Sequence, residues 1–468
     1  MAYLIVSLGY VVSRALLARA GLPYGFELDW MWLADPADLR DRLAQTLWFF
    51  HAFPPGMDLL TGILLKTSGD QAARVARVLF WLLGLLLANG LVTLGRAVGL
   101  TGAAAGVVAM AFMLSPPAVY FEHLYLYEWP VVTLLVLAAI AFHRACLRPT
   151  TLRWLLFFVL CAAIAVTRST FHMVWLALLI GAAVAASGRS GRRAAMVGAL
   201  PGVVLVVALY AKNAVVFGEF AASTFGPASF HLVTVDRMPP AERDRWMAEG
   251  RLSRFAAISP YAPPRDYLPY FSTNELPGWP PQVTRLDQLT VPAPNFNHWF
   301  ILEAQRARRH DVEEYMRSYP LGYLRNVWAG LLALFGPTTE WHPRTGLAAS
   351  PHAGHRQRLG RYETAYNVLV HKLVLAPVGV YALLPIILIW AAWQATASWR
   401  SGDVARRARG ALLAFCIFQI VFVVAVSSMA TYLESSRYRF QVEPFIWILS
   451  ALTLVSLTHG RLPDRRDL

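Results

Sequence analysis

The stretch 21–55 carries the first groups in the chain that could do chemistry, and it lies between two apolar runs. It holds five carboxylates between residues 27 and 41: Glu27, Asp29, Asp35, Asp38 and Asp41. Acidic residues are scarce elsewhere, because the chain has only 28 of them among 468 residues. Carboxylates beside a membrane helix can remove a proton from a hydroxyl group or bind a cation. The alternative is that they only keep a short amphipathic helix in water, and composition alone favours it.

Three further stretches place polar and charged residues beside apolar segments. They are 115–130 with Glu122, His123 and Tyr127, 167–175 with Arg168 and His172, and 431–444 with Arg437 and Arg439. Charged side chains at a membrane boundary cost free energy, so each is a candidate functional group. The arginines need anionic partners, which could be Glu122 or Glu434, or a phosphate that the planar guanidinium binds well. For three arginines gathered on one face, we favour a phosphate site.

The histidines and cysteines give weaker indications. His51, His172 and His298 could transfer protons or bind a metal, but each alone is better explained by packing. No residues have the i, i+4 or CxxC spacing of a strong zinc site, and the three cysteines show no disulfide framework. A divalent metal ion could still be bound by Asp29 with Glu122 and water, since hard cations prefer oxygen ligands. The sequence therefore leaves metal dependence open and predicts no other cofactor.

The composition indicates a polytopic membrane protein. Hydrophobic residues make up 57% of the chain and charged residues only 15%, whereas soluble domains carry about 25% charged residues. The net charge of +14 then reflects Arg-rich loops rather than a nucleic-acid-binding face, so no nucleic-acid partner is expected. The absence of a GxxxxGK[ST] loop and of a GxGxxG motif after a strand argues against a nucleotide-driven pump or a dehydrogenase.

Membrane helices must position the candidate groups. We predict spans at 2–19, 77–97, 102–118, 128–146, 152–166, 171–187, 194–216, 365–392, 410–430 and 438–457. The apolar runs 56–65 and 321–335 are short, and the second could be re-entrant or interfacial. The chain then divides into an N-terminal transmembrane module (1–216) with a first external loop (20–55), an external polar domain (217–320) and a C-terminal transmembrane module (321–468).

Positive charge orients these spans. The loops 144–153, 187–193 and 399–410 and the C-terminal tail are rich in arginine, which is typical of the cytoplasmic side. The opposite face then receives residues 119–127, 167–170, 217–363 and 431–437, together with the candidate groups. The count of spans is inconsistent at the front, so either segment 56–66 or a broken helix near 97–118 does not cross fully. Arg14, near the far end of the first span, is also unfavourable in a helix that leads outward.

Six segments in order give the chain a resemblance to the GT-C superfamily of membrane glycosyltransferases. The chain resembles the family-39-type, dolichyl-phosphate-mannose-type transferases, and within them a poorly characterised bacterial branch. The segments are FELDWMWLADPADL with TLWFFHAFPPGMD (26–58), FEHLYLYEWP (121–130), RSTFHMVW (168–175), KNAVVFGEFAASTFG (212–226), NFNHWF (295–300) and SRYRFQVEP (436–444). The sequence departs from the family at FELDW and at Gly56-Met57-Asp58, and these differences concern the acceptor more than the reaction class.

The resemblance implies an all-α bundle of about ten to twelve transmembrane helices with a large first external loop and a smaller external domain. It implies transfer of a sugar, with inversion, from a polyprenyl-phosphate donor to a glycan, lipid or protein acceptor, in the bacterial inner membrane with the site facing the periplasm. Asp29, with Glu27 nearby, takes the role of general base. The residues implied for the donor phosphate are Arg168, Arg437, Arg439 and Lys212. Those implied for substrate binding are Glu122, His123, Tyr127, His51, His172, Asn297 and His298.

Two other functions fit parts of the sequence. A transporter or flippase for an anionic lipid-linked substrate would also use external arginines, although the inverted internal repeats common in transporters are not visible. A noncatalytic scaffold or sensor could use the 217–320 domain as a binding module. Release of sugar from a polyprenyl-phosphate donor distinguishes the transferase from both alternatives.

Overall fold

The chain folds as an all-α polytopic membrane protein. The structure, a computed structural model, describes residues 1–29, 32–273, 276–338, 353–372, 376, 378–432 and 435–459. Within these ranges the regular elements are helices, with two isolated β-bridges and no strand. The described helices include six that are long and apolar enough to cross a membrane, and a bent pair that could form a seventh span. Three shorter apolar helices are not among these spans, so the number of ten to twelve transmembrane helices stays a prediction.

The helices of the N-terminal half begin and end close to the predicted spans. They are α1 (Ala2–Arg19), α2 (Pro36–Asp41), α3 (Leu43–Trp48), α4 (Gly56–Ser68), α5 (Ala72–Val98), α6 (Gly102–Leu114), α7 (Pro116–Glu122), α8 (Glu128–Leu147), α9 (Thr151–Ala165), α10 (Met173–Ala186) and α11 (Gly188–Phe217). A 3₁₀ turn, Gly69–Gln71, joins α4 to α5. The short run after the Pro-Pro pair therefore continues into the next helix.

The second half begins outside the long helices and returns to them. Its helices are α12 (Gly226–Val233), α13 (Pro240–Ala248), α14 (Pro281–Thr284), α15 (Trp299–Ser318), α16 (Pro320–Leu334), α17 (Ala353–Asn367), α18 (Leu384–Trp399), α19 (Val404–Ala430), α20 (Ser435–Phe440) and α21 (Glu443–His459). The predicted span 365–392 is matched in part: Gly379–Trp399 is long and apolar enough to cross a membrane, whereas α17 continues into a π-helical turn, Val368–Lys372. The boundaries of the three predicted domains stay predictions, and Glu434 lies outside the described residues.

The break predicted near residues 97–118 lies at Ser115. Helices α6 and α7 are bent by 63° where they meet. Ser115 takes an extended conformation, and its side chain accepts a hydrogen bond from Ala118 N. Pro116 and Pro117 then begin α7, where proline suits the first turn. The bend brings Glu122, at the end of α7, against α1.

Arg14 is stabilised inside the bundle by this bend. Its Nε donates to Glu122 Oε2 at 2.6 Å, and its Nη2 donates to Met113 O at 2.9 Å. Tyr10, one turn earlier on α1, also donates to Glu122. Both charged side chains are buried, so removal of either one would leave the other as an uncompensated buried charge. The positive charge that looked unfavourable in the sequence is therefore neutralised by a carboxylate 108 positions away.

The short helix α2 has the structure predicted for the acidic stretch. Asp35 caps it by accepting from Ala37 N at 2.9 Å, and Pro36 occupies its first turn. Asp38 pairs with Arg42 at 2.8 Å and also with Arg285. Asp35 and Asp38 are therefore used in capping and ion pairing. Both side chains are buried, so they do not serve to keep the helix in water.

The α1–α7 pair should set the stability of the N-terminal module. We expect Glu122→Ala to lower the free energy of unfolding by about 3 kcal/mol, because it leaves the Arg14 guanidinium buried without a counter-charge. Thermal unfolding of the purified protein in detergent measures this effect. Asp41→Asn, at an exposed carboxylate of the first loop, is the matched control and should unfold like the native protein. Equal unfolding temperatures for the two variants would contradict the assigned role of the pair.

Candidate functional site

A cavity of about 290 Å³ opens where the loops of one end of the bundle meet. The first loop, the segment before α10, the segment before α12 with α12 itself, and the end of α19 all contribute to its wall. Its polar lining residues are Asp58, Tyr127, Thr167, Arg168, Ser169, Thr170, His172, Tyr210, Ser223, Ser229, Tyr261, Ser427, Thr431, Arg437 and Tyr438. Four stretches that the charge pattern placed on one face therefore contribute to one cavity.

The Arg-rich loops contact one another elsewhere in the bundle. Pro149 lies against Gly191, so close that a Cβ on the glycine would be 2.7 Å from the proline Cβ. The Arg409 guanidinium lies against Gly99, and His143 Nδ1 is 3.3 Å from Ala408 O. Loops 144–153, 187–193 and 399–410 thus gather with their neighbours, as expected if they share one side of the membrane.

One wall of the cavity is cationic. The Arg168 guanidinium lies between two tyrosine rings, 4.2 Å from the centroid of Tyr127 and 4.3 Å from that of Tyr438. Glu128 Oε1 lies 4.0 Å from Arg168 Nη2 and 3.7 Å from Arg437 Nε. All three charged side chains are nearly inaccessible to solvent. Because one carboxylate faces two guanidinium groups, these three groups together carry one net positive charge.

The ionisation of the wall favours this positive charge. Burial alone would lower the pKa of Arg168, but Tyr127, Tyr438 and Glu128 raise it above its ordinary value, although Arg437 opposes them. Burial raises the pKa of Tyr127, against the lowering effect of both arginines, so its hydroxyl keeps its proton. In the described part of the chain, Nε and Nη2 of Arg168 are buried and have no hydrogen-bond partner. The wall can therefore donate charge-assisted hydrogen bonds to an anion.

Asp58 is the acidic side chain that the described residues contribute to the cavity lining. It lies in the first turn of α4, after Pro54-Pro55, and is almost completely buried. Its Oδ1 accepts a hydrogen bond from Ala34 N at 2.8 Å, which fixes the first loop over the start of α4. Asp58 was not among the site residues predicted from the sequence. The pattern that marks it is a carboxylate at the start of an apolar run, where an ionisable residue is a functional candidate by default.

Asp29 and Glu27 lie outside the cavity lining. Glu27 is exposed and Asp29 is half-buried, and Asp29 directly precedes residues that are not described. Trp32 and Leu33, a few positions further on, do line the cavity. The segment that carries the predicted base therefore leads into the cavity wall, and its catalytic role stays a prediction.

His51 and Asn297 join the first loop to the segment 217–320. His51 Nδ1 is 2.8 Å from Thr224 Oγ1, and its Nε2 is 3.0 Å from Asn297 O. Asn297 Oδ1 accepts from His51 N at 2.8 Å, and Asn297 Nδ2 donates to Phe49 O at 2.8 Å. Lys212 Nζ donates to Phe50 O at 2.5 Å. Asn297 and Lys212 therefore contact the backbone of the first loop, to which His51 belongs, and none of these three predicted site residues lines the cavity.

Arg439 is engaged by the protein itself. Its Nε donates to Glu443 Oε1 at 2.9 Å, and its Nη1 donates to Leu334 O at 2.8 Å and to Gly336 O at 2.9 Å. Its Nη2 donates to Thr338, and the guanidinium lies 4.2 Å from the centroid of the Tyr381 ring. The structure therefore separates Arg439 from Arg168 and Arg437, which line the cavity.

The remaining predicted residues divide between the cavity and other contacts. Tyr127 and His172 line the cavity, and His172 Nδ1 also caps α10 by accepting from Val174 N at 3.3 Å. Glu122 pairs with Arg14, and His123 Nδ1 is 2.9 Å from Val119 O. His298 caps α15 by accepting from Phe300 N at 3.0 Å. The groups of three or more histidine, cysteine or carboxylate side chains that could hold a metal are absent among the described residues.

The chain has a distant structural similarity to a solved oligosaccharyltransferase from Archaeoglobus fulgidus, in a complex with zinc and sulfate. The sequence identity is 13% and the TM-score is 0.36. The match covers 99% of this chain and 50% of the other, so this chain spans about half the length of the solved structure. No protein-family model matches the chain, and no curated protein matches it.

Low pH should loosen the joint at His51. Burial, together with the nearby Lys212 charge, lowers the pKa of His51 to about 3. The unfolded chain takes up this proton near the ordinary pKa of about 6.5, so stability falls between pH 6.5 and 3, by about 1.4 kcal/mol per pH unit. We expect His51→Gln to flatten this acid-side loss in thermal unfolding series from pH 7 to 4.5. His310→Gln, at an exposed histidine, is the control for loss of one imidazole. Identical slopes of unfolding temperature against pH in the two variants would contradict the role assigned to His51.

Proposed function

We propose that this chain is an integral-membrane glycosyltransferase. It moves a sugar from a polyprenyl-phosphate donor to a glycan, lipid or protein acceptor, with inversion, at the non-cytoplasmic face of the membrane. The observation that carries the proposal is the cavity in which a buried carboxylate, Asp58, and a buried cationic wall, Arg168 and Arg437, occur together. Transfer from a sugar phosphate needs both a group that accepts a proton and a group that stabilises the departing phosphate.

The cationic wall fits the donor phosphate. Arg168 is held in place by Tyr127 and Tyr438, so its guanidinium loses little freedom when it binds an anion. As the bond from the sugar to the phosphate oxygen breaks, negative charge grows on that oxygen, and Arg168 and Arg437 stabilise it. Since the donor already carries an activated bond, the reaction needs no nucleotide. The donor chain would lie in the bilayer beside the bundle.

The base is a carboxylate of the first loop or of the helix that follows it. The motif resemblance assigns Asp29, and we retain that assignment as a proposal. The cavity adds Asp58, because a base must reach the hydroxyl whose proton it removes. The carboxylate accepts the proton while the hydroxyl oxygen attacks the anomeric carbon on the side opposite the phosphate. Attack from that side gives inversion of configuration.

Replacing the base should abolish transfer without unfolding the protein. We expect loss of about 10²- to 10⁴-fold in the rate of sugar transfer for whichever of Asp29→Asn and Asp58→Asn removes the base. The measurement is sugar release from a labelled polyprenyl-phosphate donor by the purified variants, beside Asp41→Asn as the control within the same loop. Full activity of the triple variant Glu27→Gln, Asp29→Asn, Asp58→Asn would overturn the carboxylate mechanism.

Replacing the cationic wall should weaken use of the donor. We expect Arg168→Gln and Arg437→Gln each to lower kcat/KM for the donor about 10- to 100-fold, because each removes charge-assisted hydrogen bonds to the phosphate. Arg317→Gln, at an exposed arginine paired with Glu313, is the control for loss of a positive charge. Unchanged kcat/KM in both variants would contradict the proposed phosphate site. If the donor crossed the bilayer without release of its sugar, the protein would instead be a flippase.

A further inference from the structure

A second group of polar side chains lies outside the cavity lining, where the start of the first loop meets α5 and the segment after α7. It consists of Tyr24, Arg77, Trp81 and His123. Four buried atoms of this group have no hydrogen-bond partner among the described residues: Tyr24 Oη, Arg77 Nε, Trp81 Nε1 and His123 Nε2. Unpartnered buried polar atoms are costly, and four of them in neighbouring side chains indicate a missing ligand.

The four side chains are close together. The Arg77 guanidinium lies over the Trp81 ring, 4.7 Å from its centroid, and Tyr24 contacts Phe80 edge to face at 5.8 Å. Burial raises the pKa of Tyr24 and lowers that of His123 to about 3, and the charge of Arg77 acts on both groups. Arg77 thus stacks on Trp81, and the backbone next to Tyr24 is joined to His123, because Gly25 N donates to His123 O at 2.8 Å. Within the described chain Arg77 forms no ion pair with a carboxylate.

The hydrogen-bonding capacity of the group defines its ligand. His123 Nδ1 is 2.9 Å from the carbonyl oxygen of Val119, which can only accept, so Nδ1 carries the ring proton. The ring is neutral, and Nε2 is therefore an acceptor. The guanidinium of Arg77, the indole of Trp81 and the phenol of Tyr24 are donors. Three donors with one positive charge and one acceptor match a phosphate with a hydroxyl group on the same molecule.

The position of Arg77 indicates that this phosphate belongs to a lipid. The 3₁₀ turn Gly69–Gln71 separates α4 from α5, and Arg77 lies in the second turn of α5, near the start of that helix. Apolar residues of the same turns are exposed: Val75 by 40%, Val78 by 51% and Leu82 by 54%. These side chains suit contact with acyl chains, whereas a guanidinium at the bilayer boundary is stabilised by an anionic lipid head group.

We propose that Tyr24, Arg77, Trp81 and His123 form a binding site for the phosphate head group of a hydroxyl-bearing anionic lipid. Phosphate oxygens accept from Arg77, Trp81 and Tyr24, and a head-group hydroxyl donates to His123 Nε2. The bound lipid fixes the start of the first loop, because Gly25 N donates to His123 O at 2.8 Å and Tyr125 N donates to Gly25 O at 2.8 Å. This site does not depend on the proposed sugar transfer.

Lipid-dependent thermal unfolding tests the site. The purified full-length protein in a neutral detergent is titrated with phosphatidylglycerol, with phosphatidylcholine and with inorganic phosphate at matched phosphate concentrations. We expect phosphatidylglycerol to raise the unfolding temperature of the native protein and of Arg74→Gln. Arg74 lies on the same helix, pairs only with Gln71 among the described residues at 2.9 Å, and is exposed. In Arg77→Gln, the apparent affinity for phosphatidylglycerol should fall at least about tenfold.

A second variant keeps the test decisive if Arg77→Gln does not fold. Trp81→Phe retains a ring beneath the guanidinium but removes the indole donor, so it should weaken the phosphatidylglycerol response while leaving the protein folded. An equal response in Arg74→Gln and in the Arg77 or Trp81 variant would overturn the site, as would an equal response to phosphatidylcholine. Inorganic phosphate that raised the unfolding temperature of the native protein, but not that of Arg77→Gln, would support a phosphate site. That result would overturn the assignment of the site to a lipid.

Discussion

The bundle depends on pairing of arginines that are buried among apolar helices. An uncompensated charge in such surroundings costs several kcal/mol, so each buried arginine determines which segments must meet. Arg14 of α1 requires Glu122, and the bend between α6 and α7 delivers that carboxylate. Arg439 requires Glu443 one turn away, and its other nitrogens reach the backbone at the end of α16 through Leu334 O at 2.8 Å. In both places the guanidinium is satisfied by the protein, and the contact joins segments that are distant in sequence.

The cluster of Arg168, Arg437 and Glu128 differs from these two pairs in the way its guanidinium groups are held. Arg168 and Arg437 share Glu128 at 4.0 Å and 3.7 Å, which is longer than the 2.6 Å and 2.9 Å contacts of Arg14 and Arg439. Aromatic faces, rather than carbonyl oxygens, hold the Arg168 guanidinium in place. Stacking fixes a guanidinium without using its hydrogen-bond donors. An arginine that only stabilised the fold would gain by using those donors, as Arg439 does. Nε and Nη2 of Arg168 are buried without a hydrogen-bond partner in the described part of the chain, and this is the observation behind the proposed phosphate site.

The sequence predicts the long helices well because their signal is local. Apolar runs and Arg-rich loops place α1, α8 and α11 within a few residues, and Pro36 and Asp35 mark the start of α2. What the sequence could not supply was the pairing of distant side chains. Glu122 and Arg439 belong to the same kind of motif as Arg168, and only the folded chain separates residues paired within the bundle from residues that line a cavity. Asp58 was missed for a similar reason, since its burial against Ala34 depends on the first loop folding back over α4. Asp29 lies beside residues outside the described ranges, so its role rests on the motif.

The first loop is held by contacts at its start, in its middle and near its end, and this explains how a polar loop can form part of a cavity wall. At its start, Gly25 forms a parallel bridge with Leu124; in its middle, Ala34 N donates to Asp58; and near its end, His51 is bonded to Thr224 and Asn297. Between these points, Phe50, Phe225 and Phe300 belong to one hydrophobic cluster shared by the loop and the segment 217–320. The Leu124 bridge has a further consequence, because the same short segment continues to Tyr127 and Glu128 in the cationic wall. A lipid bound at Arg77 would hold Tyr24 and His123 on either side of that bridge. The proposed lipid site and the wall of the cavity are thus connected by fewer than ten residues of backbone. Through this segment, the lipid bound at Arg77 would affect the positions of Tyr127 and Glu128 in the cavity wall.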